Sequence, residues 1–376
     1  MRYAWLAGIT ALWLFCLTEC KPDDDGDVSC GGPDSLYTAT PLTLAQPFKF
    51  PPIKIPEDNP LTQEGVLLGR MLFYDPVLSV DSTLSCAGCH KQEYAFSDGG
   101  KAFSQSVFGA TKRNTPPIFN VLWMKNFFWD GRAHTLPLQV SDALRAEQDF
   151  SANVIIPRLE KRPEYVALFN KAFGKPCGIT EEKIHKALSQ FMMTLISADS
   201  KFDKVMRGQA VFTPSEYRGF YELFMKDTGA VNGYGADCFH CHANSSGASN
   251  LTMMDNNFHN NALQYAPTMN DFADKGRGAV TNNMLDNGLF RTPHIRNIEV
   301  TAPYMHNGQF NTLEEVIEFY NSGLKYSPTT DPQMKTVHRG GLQYLTAQDK
   351  ADLVAFLKTL TDTAFLRNPA FSNPFK

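Results

Sequence analysis

With 376 residues, 43% hydrophobic and 20% charged, the chain has an ordinary globular composition and the length of about two domains. A formal charge of −4 supplies no basic surface for a phosphate backbone, so no nucleic-acid partner is expected. Residues 1–19 carry Arg2 and an apolar run from Ala4 to Leu17, too short for a comfortable membrane span and suited to an export signal.

The stretch Leu17-Thr18-Glu19-Cys20 is similar to a bacterial lipoprotein processing site, with Glu19 an unusual residue before the cysteine. It makes Cys20 a candidate lipid anchor, with Cys16 or an unlipidated cleavage as alternatives. The expected location is the periplasm or cell envelope, with a membrane reached only through that lipid. Residues 20–56 begin with an acidic, Gly/Pro-rich run and read as a flexible tether. Cys30 and Cys177 fall outside every other motif, and export permits a disulfide between them.

From there the signals are mainly helical. Thr62 can cap an apolar-periodic segment through Tyr74, and residues 180–198 show helical spacing behind an acidic first turn. Thr213-Pro214 reads as a helix start, and Thr312 to Glu315 and Thr346 to Asp349 resemble capping boxes. Between these helices run Gly/Asn/Pro-rich stretches at 96–118, 229–261 and 266–311. Period-2 strand patterns are scarce. Such long loops need a large apolar body other than a wide core to order them.

SCAGCH at 85–90 and CFHCH at 238–242 supply its chemistry. Two thiols three positions apart on one helical turn can add to two vinyl groups along one porphyrin edge. The histidine that follows then reaches the iron from that face. Zinc ribbons place their cysteine pairs about 15–20 residues apart and require no such histidine. Two covalently bound haem c groups are therefore expected, on Cys86 and Cys89 with His90, and on Cys238 and Cys241 with His242; His240 is a spacer.

The flanking blocks resemble the bacterial di-haem cytochrome c peroxidases and their relative MauG. They are LGRMLFYDPVLS at 68–79, RNTPPIFN at 113–120, FWDGRA at 128–133, DKGRGAVT at 274–281, RTPHIRNIEVTAPYMHNG at 291–308, TLEEVIEFYNSG at 312–323 and DLVAFLKTLTD at 352–362. The resemblance implies a mainly α chain of two cytochrome c-like haem domains with long loops. The N-terminal, peroxidatic domain is placed at 57–200 and the C-terminal, electron-transfer domain at 201–376, whose tail can pack back on the first.

It also implies roles for particular residues. Trp129 corresponds to a tryptophan between the haems. Gln139 matches a distal glutamine, and the distal carboxylate falls on Asp149 by count, with Glu147 as the alternative. Asn114, Thr301 and Pro303 match positions that hold a calcium ion. Residues 91–113 contain no histidine or methionine to block the first iron; the expected blocking position falls near Ser106, and His134 is the nearest alternative. Tyr320 stands where the second haem takes its sixth ligand, with Met305 as the alternative.

Three functions follow as expectations. The first is a peroxidase that reduces hydrogen peroxide to water with electrons from a small cytochrome c or cupredoxin. The second is a MauG-like enzyme that uses peroxide to oxidise a protein or a small organic molecule. The third is a two-haem electron carrier with little catalysis.

Overall fold

The computed structural model describes residues 39–174, 178–227, 234–243, 251–334 and 336–376. Cys16, Cys20, Cys30 and Cys177 lie outside them, and with them the export signal and the Cys30–Cys177 pairing. The described chain is mainly helical. In order come α1 (Gln63–Tyr74), α2 (Cys86–Cys89), α3 (Leu136–Gln148), α4 (Ala152–Glu160), α5 (Pro163–Phe173), α6 (Glu181–Thr194), α7 (Lys201–Met206) and α8 (Pro214–Tyr217). A π-helical segment, Arg218–Phe224, continues α8. Then follow α9 (Phe239–His242), α10 (Arg277–Thr281), α11 (Leu313–Ser322), α12 (Ala347–Lys358) and α13 (Thr363–Leu366). Two antiparallel pairs of two-residue strands interrupt the loops: β1 (Gln105–Ser106) with β2 (Gly109–Ala110), and β3 (Phe258–His259) with β4 (Phe290–Arg291).

Local chemistry sets the helix starts. The hydroxyls of Thr62 and Thr180 accept backbone N–H groups of their first turns. Thr213, Thr312 and Thr346 close full capping boxes with Glu216, Glu315 and Asp349. Each box satisfies donors that the first helical turn cannot pair internally.

The apolar side chains gather in two main clusters. One joins α1, α3, α4, α5 and α6 through Leu68, Leu72, Phe73, Leu144, Ile155, Phe169 and Phe191. The other joins α7, the π-helical segment, α11 and α12 through Phe202, Phe220, Phe224, Ile317, Leu353 and Phe356. Each contains a helix crossing closed by a glycine. A Cβ on Gly69 would sit 1.9 Å from the Ala187 carbonyl oxygen and 3.0 Å from Phe191 Cβ. A Cβ on Gly219 would sit 2.0 Å from the Asp352 carbonyl oxygen and 3.0 Å from Phe356 Cβ. Gly69→Ala is therefore expected to destabilise the protein by about 1–3 kcal/mol through overpacking. Thermal unfolding at matched haem content checks this, and an unchanged melt refutes the close crossing.

Arg296 ties the second cluster to its neighbours. Its side chain is fully buried; it pairs with the equally buried Asp203 and donates to the carbonyls of Ser197 and Leu251 at 3.0 and 2.8 Å. The C-terminal segment lies against α1. Arg70 donates to the carbonyls of Ser372 and Pro369, each at 2.7 Å, and the Tyr74 hydroxyl donates to the Phe371 carbonyl.

The tether reading fails from residue 39 onward. Leu42 pairs with Leu61 through the backbone, and Phe50 packs edge-on against Trp123, whose indole N–H donates to the Pro51 carbonyl at 2.7 Å. The segment has no periodicity because Leu42 and Leu44 pack on one cluster while Phe50 and Ile53 pack on the other.

Candidate haem sites

The first motif folds as the single turn α2, capped at its C-terminal end by His90. Ala95 and Phe96 both adopt left-handed backbone conformations (φ 53° and 59°), uncommon for side chains of this kind. That excursion turns the Phe96 carbonyl onto His90, whose Nδ1–H donates to it at 2.6 Å. A carbonyl only accepts, so the tautomer is set and the Nε2 lone pair is left available as a ligand. Burial holds the His90 pKa below its ordinary value, which keeps the ring neutral.

Cys86, Cys89 and His90 line one partly open cavity. Its walls are largely apolar and include Phe73, Ile118, Val140, Leu144, Leu188 and Met192. Gln139, Ala143 and Glu147 project into it from one face of α3, spaced four residues apart. Gln139 Oε1 is buried and has no hydrogen-bond partner among the described residues. Burial raises the Glu147 pKa, and the charge of Arg132 draws it partly back.

Asp149 does not reach this cavity. Helix α3 ends at Gln148; Asp149 is exposed, adopts the left-handed conformation (φ 50°), and its backbone N–H caps the Leu144 carbonyl. Counting along the sequence lands past the helix end, whereas the i, i+4, i+8 face carries Glu147. His134 is exposed, and neither it nor Ser106 lines the cavity; Gln105 does.

Trp129 donates its indole N–H to the Asn114 carbonyl at 2.8 Å. The Asn114 side-chain amide lies 2.6 Å from the Pro303 carbonyl, and the buried Thr301 stands two residues earlier on the same loop. Three separate blocks meet beside it. Arg113 bridges Asp130 of FWDGRA at 2.6 Å and Asp274 of DKGRG at 2.7 Å.

At the second motif, α9 carries Cys241 and His242 with Cys238 at its start. Burial pushes both thiols up to about 12 and lowers His242 to about 4, so the thiols and the imidazole are neutral. The His242 Nδ1 is buried. Tyr320 projects from α11 toward this motif, and burial raises its phenol above the ordinary range while the thiols of Cys241 and Cys238 add to the rise. Asn261 Nδ2 donates to the Tyr320 hydroxyl at 3.3 Å and lies 3.5 Å from Met305 Sδ. One amide thus holds both candidate sixth ligands together.

Sequence reasoning missed Asn261 and two other features. His259 is clamped between the carboxylates of Asp255 and Asp331; burial pulls its pKa down, but the two carboxylates outweigh it and lift it to about 9. Arg291 is buried, its pKa lowered to about 10 by burial, and among the described residues its guanidinium donates to the carbonyls of Phe128 and Thr292. No carboxylate among the described residues pairs with it. A buried guanidinium without a counter-ion is costly, and the acidic edge of a haem would supply one. Its place in RTPHIRN, a block with two arginines and no carboxylate, was the available signal.

These residues fit a covalently attached haem: paired neutral thiols, an oriented imidazole, apolar walls and an uncompensated cation. The di-haem cytochrome c peroxidase family matches residues 63–211. The methylamine utilization protein MauG of Methylorubrum extorquens is 33% identical over 310 residues, covering 81% of this chain and 80% of that protein. The chain belongs to the di-haem cytochrome c peroxidase family. A cytochrome-c peroxidase of Denitromonas iodatirespirans is 32% identical over 346 residues, covering 84% of this chain and 86% of that protein. The crystal structure of a MauG-like protein associated with microbial copper homeostasis superposes with a TM-score of 0.78 at 33% identity, covering 89% of this chain and all of that one. Membership of this di-haem family implies two c-type haems and makes the protein an oxidoreductase of the cytochrome-c peroxidase type, acting on peroxide.

Proposed function

We propose that this protein is an exported di-haem peroxidase that reduces hydrogen peroxide to water with electrons from a small cytochrome c or cupredoxin. The observation that carries this reading is the shared face of α3: Gln139 and Glu147 enter the cavity that also holds Cys86, Cys89 and His90. Bound haem supplies a redox-active iron at each site. Converting hydrogen peroxide to two waters takes two electrons and two protons, and a donor of this kind delivers one electron at a time, so a second redox site stores the missing equivalent.

The proton work falls to the chain itself. The Glu147 carboxylate takes a proton from one peroxide oxygen and returns it to the other, a transfer that requires an acid of raised pKa close to the substrate. Gln139, its amide oxygen without a partner among the described residues, orients the substrate beside it. Asp149, on the far side of the helix end, has no part in this transfer. We assign the two sites to an N-terminal domain and a C-terminal domain of cytochrome c type, with calcium held by Asn114 and the Thr301 and Pro303 carbonyls, which are oxygen donors of the type calcium prefers. Export, with a lipid on Cys20, is proposed from the first twenty residues alone.

The test is peroxide-dependent oxidation of a reduced small cytochrome or cupredoxin by the haem-loaded protein. Catalytic turnover supports the reading, and inertness toward peroxide leaves an electron carrier. Tyr320 favours the second, MauG-like reading, because a phenolate stabilises oxidised iron more than a thioether does. If Tyr320 is the sixth ligand of the second haem, Tyr320→Phe abolishes the low-spin spectrum of that haem or shifts it strongly. An unchanged spectrum assigns the ligand elsewhere, with Met305 next in reach of Asn261.

A further inference from the structure

Two tyrosines next to the second motif have no part in either site. Tyr344 is partly buried against the second apolar cluster, on which Ala236 and Cys238 also pack, and its hydroxyl donates to the Gly235 carbonyl. Gly235 and Cys238 are three residues apart, so their Cα atoms lie at most about 11 Å from each other. The Ala236 carbonyl between them is 3.5 Å from Cys238 Sγ. Tyr234 packs on Tyr344, with ring centroids 5.3 Å apart, and is 38% exposed. Its hydroxyl donates to Oδ2 of Asp349, a fully buried carboxylate that also pairs with Arg218.

Packing alone accounts for Tyr344. Tyr234 differs in that its exposed phenol reaches a buried carboxylate, joining the Thr346 backbone N–H and hydroxyl, at 2.8 and 2.7 Å, as donors to Asp349 Oδ2. That pairing has a chemical use. A phenol that loses an electron becomes a strong acid, and a carboxylate already hydrogen-bonded to it takes the proton without rearrangement. When Asp349 is neutralised in this way, Asp352, the second carboxylate on Arg218, keeps that guanidinium paired.

We propose that Tyr344 and Tyr234 form a redox relay between the second haem site and the surface, with Tyr234 the point at which a one-electron donor delivers its electron. The inference rests on the peroxidase reading above, with hydrogen peroxide as the oxidant. Tyr234 gives one electron inward through Tyr344 and its hydroxyl proton to Asp349 Oδ2, leaving a neutral phenoxyl radical. The donor's electron, with the proton returned from Asp349, restores the phenol. Two passages supply the two electrons that, with two protons, turn one hydrogen peroxide into two waters.

The test uses the full-length, haem-loaded protein mixed with hydrogen peroxide in the absence of any donor. A tyrosyl EPR signal is expected, altered by ring-deuterated tyrosine, together with fluorescent dityrosine-linked dimers from coupling of the exposed radical. Both are expected to fall at least about tenfold in Tyr234→Phe, and the signal is expected to form more slowly in Tyr344→Phe. Wild-type protein that ignores peroxide overturns this inference and the peroxidase reading together. Wild-type protein that consumes peroxide with no tyrosyl signal, or with a signal and dimers undiminished in Tyr234→Phe, overturns the relay alone.

Discussion

Glu147→Gln is expected to slow peroxide reduction by about 10²–10⁴-fold, the usual contribution of a positioned proton-transfer group, while Asp149→Asn stays within a few-fold of wild type. The contrast is sharp because the two residues are neighbours with opposite surroundings. Glu147 faces the cavity from α3, and Asp149 caps that helix from outside. Asparagine tolerates the left-handed backbone at 149, so that variant tests the carboxylate and little else. The pH profile adds a second readout. Burial raises the Glu147 pKa above the ordinary carboxylate value of about 4.3. Its ionised, proton-accepting form is therefore lost as pH falls through that raised value, and kcat/KM should decline on the acid side earlier than an exposed carboxylate allows. Glu147→Gln removes this limb. Arg132→Gln, by removing the charge that draws the pKa down, moves it to higher pH. A full-rate Glu147→Gln enzyme would refute the assignment.

Asp203→Ala should cost about 3–5 kcal/mol of stability, the largest structural effect expected from any single side chain considered. The Arg296 guanidinium is fully buried, and Asp203 is its carboxylate partner. Removing that partner leaves a desolvated cation whose remaining contacts are backbone carbonyls and the Phe50 ring. Asp203 also completes the capping box of α7 with Ser200, so the same change removes a helix cap. Denaturant unfolding at matched haem content measures the effect. The double variant Asp203→Leu with Arg296→Met should recover much of the loss, because the penalty lies in the unpaired charge rather than in the pair. A loss below about 1 kcal/mol for Asp203→Ala would show that the charge finds water or another partner.

What could be read from the sequence was local. Cap residues such as Thr62, Thr213, Thr312 and Thr346 announce helix starts because their hydrogen bonds span three or four positions. The two CxxCH turns likewise carry their chemistry within five residues. The cavity face was only half legible. Gln139 and Glu147 are one helical face, but seeing this requires knowing that α3 runs unbroken to Gln148. A count from Trp129 alone points to Asp149 instead. The segment from residue 39 to 56 was misread for the complementary reason: its apolar residues divide between two clusters that no local pattern reveals. Arg291, Asn261 and the Asp255–His259–Asp331 clamp depend on contacts between loops far apart in the chain. The separate blocks RNTPP, FWDGRA and DKGRG acquire a physical meaning only when Arg113 is seen to bridge them.

The paired crossings at Gly69 and Gly219 bear on how this molecule moves. In each, backbone meets backbone with no side chain between, so no rotamer change can absorb a shift between the helices. Such contacts hold or separate; they do not yield by degrees. The two helix pairs therefore act as stiff frames, and any rearrangement on oxidation or reduction is left to the loops around them. Arg113 pins those loops, since its guanidinium ties its own segment to those of Asp130 and Asp274.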